Sequence, residues 1–186
     1  VATQNGLWAD FSPRPLPERD GNGMHINVSA RLNGEELSPL RLVPGLMSRA
    51  GEMTLFLDPS QASYERLGRD KAPAYVSWSQ ENRSQFIRVP AAEGEYRRLE
   101  LRSPDSEANP YLAFALIIYA CLDGIDRRLP LPDPADLDLL RADAQTLGRF
   151  EALPRSLAEA AALAERSPFI REHIPQQILE NYARQG

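Results

Sequence analysis

Three separated stretches carry residues able to do metal or phosphate chemistry. In Gly21–Ala30, GNGMHINVSA, the apolar Met24, Ile26 and Val28 alternate with His25, Asn27 and Ser29. Asn82–Pro90, NRSQFIRVP, carries Arg83 and Arg88, and in Arg97–Ser103 the charged Arg98, Glu100 and Arg102 alternate with Leu99 and Leu101. An imidazole and a carboxylate on neighbouring strands suit a hard divalent ion that accepts some nitrogen, such as Mg²⁺ or Mn²⁺. Arginines beside them suit a phosphate or carboxylate substrate, because the guanidinium fork matches either group bidentately. One His and one Glu are too few to hold a metal alone. The same alternation also describes an antiparallel sheet with one solvated face. Residue type leans towards a site, since solvated faces favour Thr, Lys and Glu, whereas these strands offer Arg, His and amides.

The elements that must position these groups follow from periodicity. A two-residue period over 98–102 predicts a strand with one charged and one apolar face. Asn109-Pro110 then supplies an N-cap and a proline at the first helical position, and the apolar run from Tyr111 to Ile125 predicts a helix buried nearly all round. A strand is expected over Gly6–Phe11, another over Ala74–Trp78 and a third over Asn82–Pro90. Asn33-Gly34 marks a hairpin turn. Leu42, Leu46, Met47, Ala50 and Met53 recur at helical spacing, with a start near Pro44. Asp58-Pro59-Ser60 ends that helix, and Ala62–Leu67 adds a short one. Beyond the proline-rich connector at Pro130, Pro132 and Pro134, one helix is expected over Asp136–Leu147. A second is capped by Ser156 and Glu159, and two more begin at Pro168 and Pro175, with His173 expected on an exposed tail. Strands first with helices interleaved and appended make the fold class α+β, an antiparallel or mixed sheet backed by helices. The expected organisation is a sheet and buried helix over 1–129 and a helical region of the same domain over 130–186.

At 186 residues with 42% hydrophobic and 25% charged side chains, the chain has the composition of one globular domain. The net charge of −5 argues against general nucleic-acid binding, which needs basic surplus to release counterions. The longest apolar run is too short to span a bilayer, and lone Cys121 rules out an internal disulfide, so a cytoplasmic protein without membrane or nucleic-acid partners is expected. Of 21 basic residues only Lys71 is a lysine. Phosphate loops of the Walker type, CxxC pairs, metalloprotease helices and nucleophile elbows are absent from the sequence.

Four ordered segments resemble the glutamine synthetases. GNGMHINVS is similar to their Gly-Ser-Gly-Met-His-x-His-Gln-Ser, and DPSQASYERL to Asn-Pro-Thr-x-Asn-Ser-Tyr-Lys-Arg-Leu. APAYVSWSQENRSQFIRVP resembles Ala-Pro…Trp-Ser…Asn-Arg-Ser…Ile-Arg-Ile-Pro, and RRLELRSPDSEANPYLAFA…CLDGI resembles Arg-Ile-Glu-Val-Arg-Phe-Pro-Asp…Asn-Pro-Tyr-Leu-Ala-Phe-Ala…Leu-Asp-Gly-Ile. The resemblance implies that His25 and Glu100 ligate a catalytic Mg²⁺ or Mn²⁺. It implies that Gly21, Arg66 and Arg102 hold the glutamate carboxylates, that Arg83 and Arg88 face the ATP phosphates and the acyl phosphate, and that Asn27, Val28 and Ser29 line the nucleotide pocket. The implied reaction joins glutamate and ammonia with ATP as co-substrate, through γ-glutamyl phosphate, in a homo-oligomer.

Three departures bear on that reading. Arg69-Asp70-Lys71-Ala72-Pro73 stands where the family has Gly-Tyr-Glu-Ala-Pro, so Lys71 replaces a glutamate that covers the site and helps deprotonate ammonium. Asn27 occupies a usual His, and Asp20 a usual Asn. Asp138 falls near the tyrosine that many bacterial members modify by adenylylation, so that regulation is not expected. The resemblance also implies that carboxylates completing the metal sites lie upstream of the first glycine motif in the family, so this stretch by itself is expected to be inactive. A γ-glutamyl ligase using another amine, or a non-catalytic relative, are the alternatives.

Overall fold

A computed structural model describes residues 1–185. Its centre is a four-stranded mixed sheet in the order β1 (Ile26–Val28), β6 (Leu99–Leu101), β5 (Ile87–Arg88) and β4 (Trp78–Ser79). β1 and β5 flank β6 antiparallel, and β4 joins β5 in parallel. The register aligns Ile26, Leu101 and Ile87 on the core face, and Asn27, Glu100 and Arg88 on the other. A separate hairpin, β2 (Ala30–Leu32) and β3 (Glu35–Leu37), turns through Asn33 and Gly34, both at positive φ as a tight primed turn requires.

Helices α1 (Val43–Ser48), α2 (Ala50–Leu57) and α4 (Pro110–Asp126) back the sheet, and α3 (Gln61–Arg66) follows the Asp58-Pro59-Ser60 break. The Asn109 side chain accepts from the Tyr111 N–H at 3.0 Å, which starts α4 as the sequence predicts. α1 crosses α4 with backbones in contact at Gly45 and Gly124, where a methyl on either would overlap the facing helix backbone. α6 (Leu157–Arg166), α7 (Pro168–His173) and α8 (Gln176–Ala183) pack on α2 and α4. Phe56 meets Tyr182 with ring centroids 5.0 Å apart, and the Arg49 guanidinium lies 4.9 Å from the Phe169 ring centre. Cys121 is buried in this core, and burial pushes its thiol up to about 12. Among the described residues no helix is long and apolar enough to cross a membrane.

Several local expectations are corrected. Gly6–Phe11 forms no strand: its backbone finds no partner strand, and Leu7, Trp8 and Phe11 lie exposed. Over 82–90 only Ile87–Arg88 is strand, because Asn82 folds the chain into an Asx turn, its Oδ1 accepting from the Ser84 N–H at 2.8 Å. Within 136–147 only α5 (Ala144–Leu147) is helical, since the preceding backbone bonds elsewhere. There the Leu137 carbonyl accepts from Gln85, and the Leu139 N–H donates to Ser84. α4 is not buried all round: Tyr111, Phe114, Ile118 and Leu122 form an exposed ridge, because none of the described elements covers that side. His173 is half-buried rather than exposed, stacked on Tyr119 at 3.9 Å.

Candidate active site

Glu100 is the hub. It sits mid-strand on β6 with its carboxylate on the non-core face, between Asn27 of β1 and Arg88 of β5. Its Oε2 accepts from Arg88 Nη1 at 2.8 Å and lies 3.1 Å from Arg102 Nη1, while Oε1 lies 3.1 Å from His25 Nδ1. Burial disfavours the charge on Glu100. The Arg102 charge, the Arg88 hydrogen bond and His25 outweigh that penalty, holding its pKa below the usual carboxylate range. His25 shifts downward as well, first through burial and then through the Arg102 charge, against the pull of Glu100. A neutral imidazole beside an ionised carboxylate is the protonation state a metal ligand pair needs.

The pair also fits a divalent ion in distance. Two adjacent donors on an octahedral ion with bonds of about 2.1 Å stand about 3 Å apart, and His25 and Glu100 are 3.1 Å apart. Among the described residues, no group of three or more His, Cys, Asp and Glu side chains gathers anywhere. His25 and Glu100 can therefore supply part of a coordination shell, with the remaining donors coming from outside these side chains.

Behind the hub lies a pocket of about 150 Å³ lined by Asp20, Gly21, Gly23, His25, Arg66, Arg69, Asp70, Lys71, Ala72 and Arg102. It brings together His25, Gly21, Arg66 and Arg102, which the sequence singles out from three separate stretches. Glycine is needed at its floor: a Cβ on Gly21 would stand 2.8 Å from Arg66 Cγ, and one on Gly23 2.7 Å from Arg66 Nη2. Arg66 itself is buried, donating to the Ser103 carbonyl at 2.6 Å and the Arg102 carbonyl at 3.3 Å. It thus pins the end of β6 while lining the pocket. Arg102, also buried, donates through Nε to the Arg83 carbonyl at 3.0 Å, so the Arg83 backbone anchors Arg102 while the Arg83 side chain is exposed. On the edge strand, Asn27 Oδ1 accepts from Arg98 Nε at 3.0 Å, and Asn27 and Ser29 are exposed with Val28 half-buried between them. Asn27, Val28 and Ser29 do not line the Gly21–Arg102 pocket, and neither do Arg83 and Arg88.

Sequence reasoning missed the layer beneath Arg66. Asp58 and Asp105 are fully buried there, with Arg66 Nη1 3.5 Å from Asp58 Oδ1. Oδ2 of both aspartates and the Tyr64 hydroxyl lack a hydrogen-bond partner. Burial, then Asp105, raises the Asp58 pKa well above its ordinary value against the pull of Arg66. The available signal was Asp58 standing where the resembling segment has Asn. At the rim, Asp70 sits at positive φ and lies 3.4 Å from Arg14 Nη1.

The family described as the catalytic domain of glutamine synthetase matches residues 1–185. The glutamine synthetase of Methanocaldococcus jannaschii is 36% identical over 98% of this chain and 44% of its own length. That of Pyrococcus abyssi is 38% identical over 94% of this chain and 42% of its own. Among solved structures, an ADP complex of GmaS superposes with a TM-score of 0.83 at 29% identity, covering 98% of this chain and 45% of that one. GmaS without ligand gives 0.81 at 30% identity. The chain spans less than half the length of these relatives.

Proposed function

The chain belongs to the family of the glutamine synthetase catalytic domain, and we propose that it is part of an ATP-dependent glutamate–ammonia ligase. The observation that carries this reading is the Glu100 hub, where one carboxylate gathers an imidazole and two guanidinium groups on one sheet face. His25 and Glu100 would hold Mg²⁺ or Mn²⁺, which when bound supplies positive charge against the transferring phosphoryl group. Gly21, Arg66 and Arg102 face glutamate. The γ-carboxylate attacks the γ-phosphorus of ATP, and ADP leaves. Arg88, half-exposed beside Glu100, and the exposed Arg83 meet the negative charge that spreads over the phosphoryl oxygens. Ammonia then displaces phosphate from γ-glutamyl phosphate. Asn27, Val28 and Ser29 line the nucleotide side. The parent protein acts as a cytoplasmic homo-oligomer, without nucleic-acid or membrane partners.

The full-length parent, given glutamate, ammonia, ATP and Mg²⁺ or Mn²⁺, is expected to release ADP and form glutamine in equal amounts. Arg88→Ala should lower the rate by about a hundredfold or more, the scale of losing one preorganised donor to a developing charge. Absence of glutamate-dependent ADP release under either metal sinks the reading. A ligase taking another amine is the second reading, favoured by Lys71 on the pocket rim.

A further inference from the structure

Resting on the second of these readings, a glutamate ligase that takes another amine, we infer that the amine acceptor carries a negative charge, and that Lys71 selects it. The only lysine of the chain sits on the wall of the same pocket that holds Gly21, His25 and Arg102. Its backbone is placed by the site itself, with the Lys71 carbonyl in a long 3.5 Å contact from Arg102 Nη2. The loop that carries it is closed by its own hydrogen bonds, Gly68 N–H to the Pro73 carbonyl and Ala72 N–H to the Arg69 carbonyl. Its side chain is largely free. The nearest carboxylate, Asp20, lies 3.8 Å away, and both groups are mostly exposed, so that pairing is weak and readily exchanged for a ligand.

The charges around this pocket divide into inner ones, which the ligase reading gives to glutamate, and those left at its mouth. Arg66 is buried against main-chain carbonyls and Asp58, and Arg102 against Glu100 and the Arg83 carbonyl. Of the rim carboxylates, Asp70 faces Arg14. What remains at the mouth is the Lys71 ammonium, weakly paired with Asp20, together with the exposed Arg69. An ammonium in that place repels a cationic amine and attracts a carboxylate on the acceptor. The transfer itself is unchanged by that carboxylate. The neutral amine nitrogen bonds to the γ-carboxyl (acyl) carbon of γ-glutamyl phosphate, and the bond from that carbon to the phosphoryl oxygen breaks with its electron pair on phosphate. The proton lost from nitrogen passes to the released phosphate.

The test uses the full-length parent with saturating ATP and glutamate, and four acceptors: ammonia, methylamine, glycine and ethylenediamine. The last three carry no charge, a carboxylate or a second ammonium beside the reacting nitrogen, and kcat/KM is compared per unprotonated amine, since that neighbouring charge also shifts the protonation of the nitrogen. Glycine is expected to exceed ethylenediamine by about tenfold or more in kcat/KM, as a favourable charge contact becomes an unfavourable one at the pocket mouth. Lys71→Gln should collapse that ratio towards one, and Lys71→Glu should reverse it. Because the readout is a ratio within each variant, a general loss of folded protein does not move it. Turnover with ammonia alone, methylamine or ethylenediamine equal to or better than glycine, or ratios unmoved by either substitution overturns the inference and leaves the ligase reading standing. No glutamate-dependent ADP release with any amine, ammonia included, overturns both.

Discussion

His25 and Glu100 touch the same point in space but are held in different ways, and that difference separates ligation from stability. The His25 side chain is about a third exposed and accepts little of the load of the fold, whereas Glu100 balances Arg102, whose side chain is 4% exposed. Removing one partner of a buried pair leaves an uncompensated charge, a loss of about 3 kcal/mol. Glu100→Gln should therefore lower unfolding stability by about that amount, while His25→Ala should change it by less than about 1 kcal/mol. Both should weaken Mn²⁺ binding to the parent, read by paramagnetic resonance; His25→Ala binding Mn²⁺ as the unaltered protein does would remove it from the ligand set. Asp58 presents the opposite case. Its pKa is raised in the folded state, first by burial and then by Asp105. Above the ordinary aspartate value of about 3.9 the folded chain binds more protons than the unfolded one, so stability falls as pH rises towards the raised value. Asp58→Asn removes that dependence and leaves Arg66 facing Asp105. It should match the unaltered protein near pH 4 and exceed it by about 1–2 kcal/mol at pH 7 in urea unfolding. A variant less stable at pH 7 would show that Asp58 is the necessary counter-ion of Arg66.

At the scale of elements, close helix crossings and local turn chemistry account for what holds the sheet in place. Gly45 and Gly124 let α1 and α4 meet backbone to backbone, so Gly45→Ala must push apart the two helices that support β6. A loss of about 2–3 kcal/mol in thermal or denaturant unfolding is expected. Gly51 in α2 is the control, since a Cβ there would meet only side-chain ends, Leu163 Cδ1 at 3.4 Å and Glu151 Oε1 at 3.8 Å. Gly51→Ala should raise stability by about 0.5–1 kcal/mol through helix propensity. Equal effects at the two positions would refute the crossing argument. The same scale explains what periodicity could and could not disclose. Asn33-Gly34 and Asn109-Pro110 act through their own φ angles and side chains, so both are readable from a few residues. The Glu100 face is readable because a two-residue period survives in three-residue strands, and the segment motifs name the same residues. Gly6–Phe11 misleads because a strand needs a partner that no local pattern specifies. Residues 136–143 mislead because Ser84 and Gln85, some fifty residues away, take the hydrogen bonds a helix would have used. Asp58 and Asp105 could not be seen as a pair, since burial of a carboxylate is a property of the packed α2–α3 corner and not of its sequence.

For the molecule as a whole, the candidate site and the surface both leave room for further groups. A hard divalent ion takes about six donors, and His25 and Glu100 are the two side-chain donors gathered here. The exposed ridge of Tyr111, Phe114, Ile118 and Leu122 runs along α4, the helix that follows the Glu100 strand, more contiguous apolar surface than scattered exposed residues produce. The relatives matched by this chain are more than twice its length. A site wall with two donors and an uncovered helix face behind it are what one side of a larger catalytic domain would present. The 186-residue chain alone should therefore bind Mn²⁺ no tighter than about 1 mM, the range of sites poor in charged donors. With ATP, glutamate and ammonia it should release no ADP above the uncatalysed rate, whereas the full-length parent is expected to bind Mn²⁺ more tightly and to release ADP. Adding Ile118→Glu should improve the solubility of the short chain, because the ridge is open there, and should impair the parent if the ridge is covered in it. Turnover by the short chain would mean that its own side chains and the substrate phosphates complete the metal shell, and the sheet face around Glu100 would then be the whole active site.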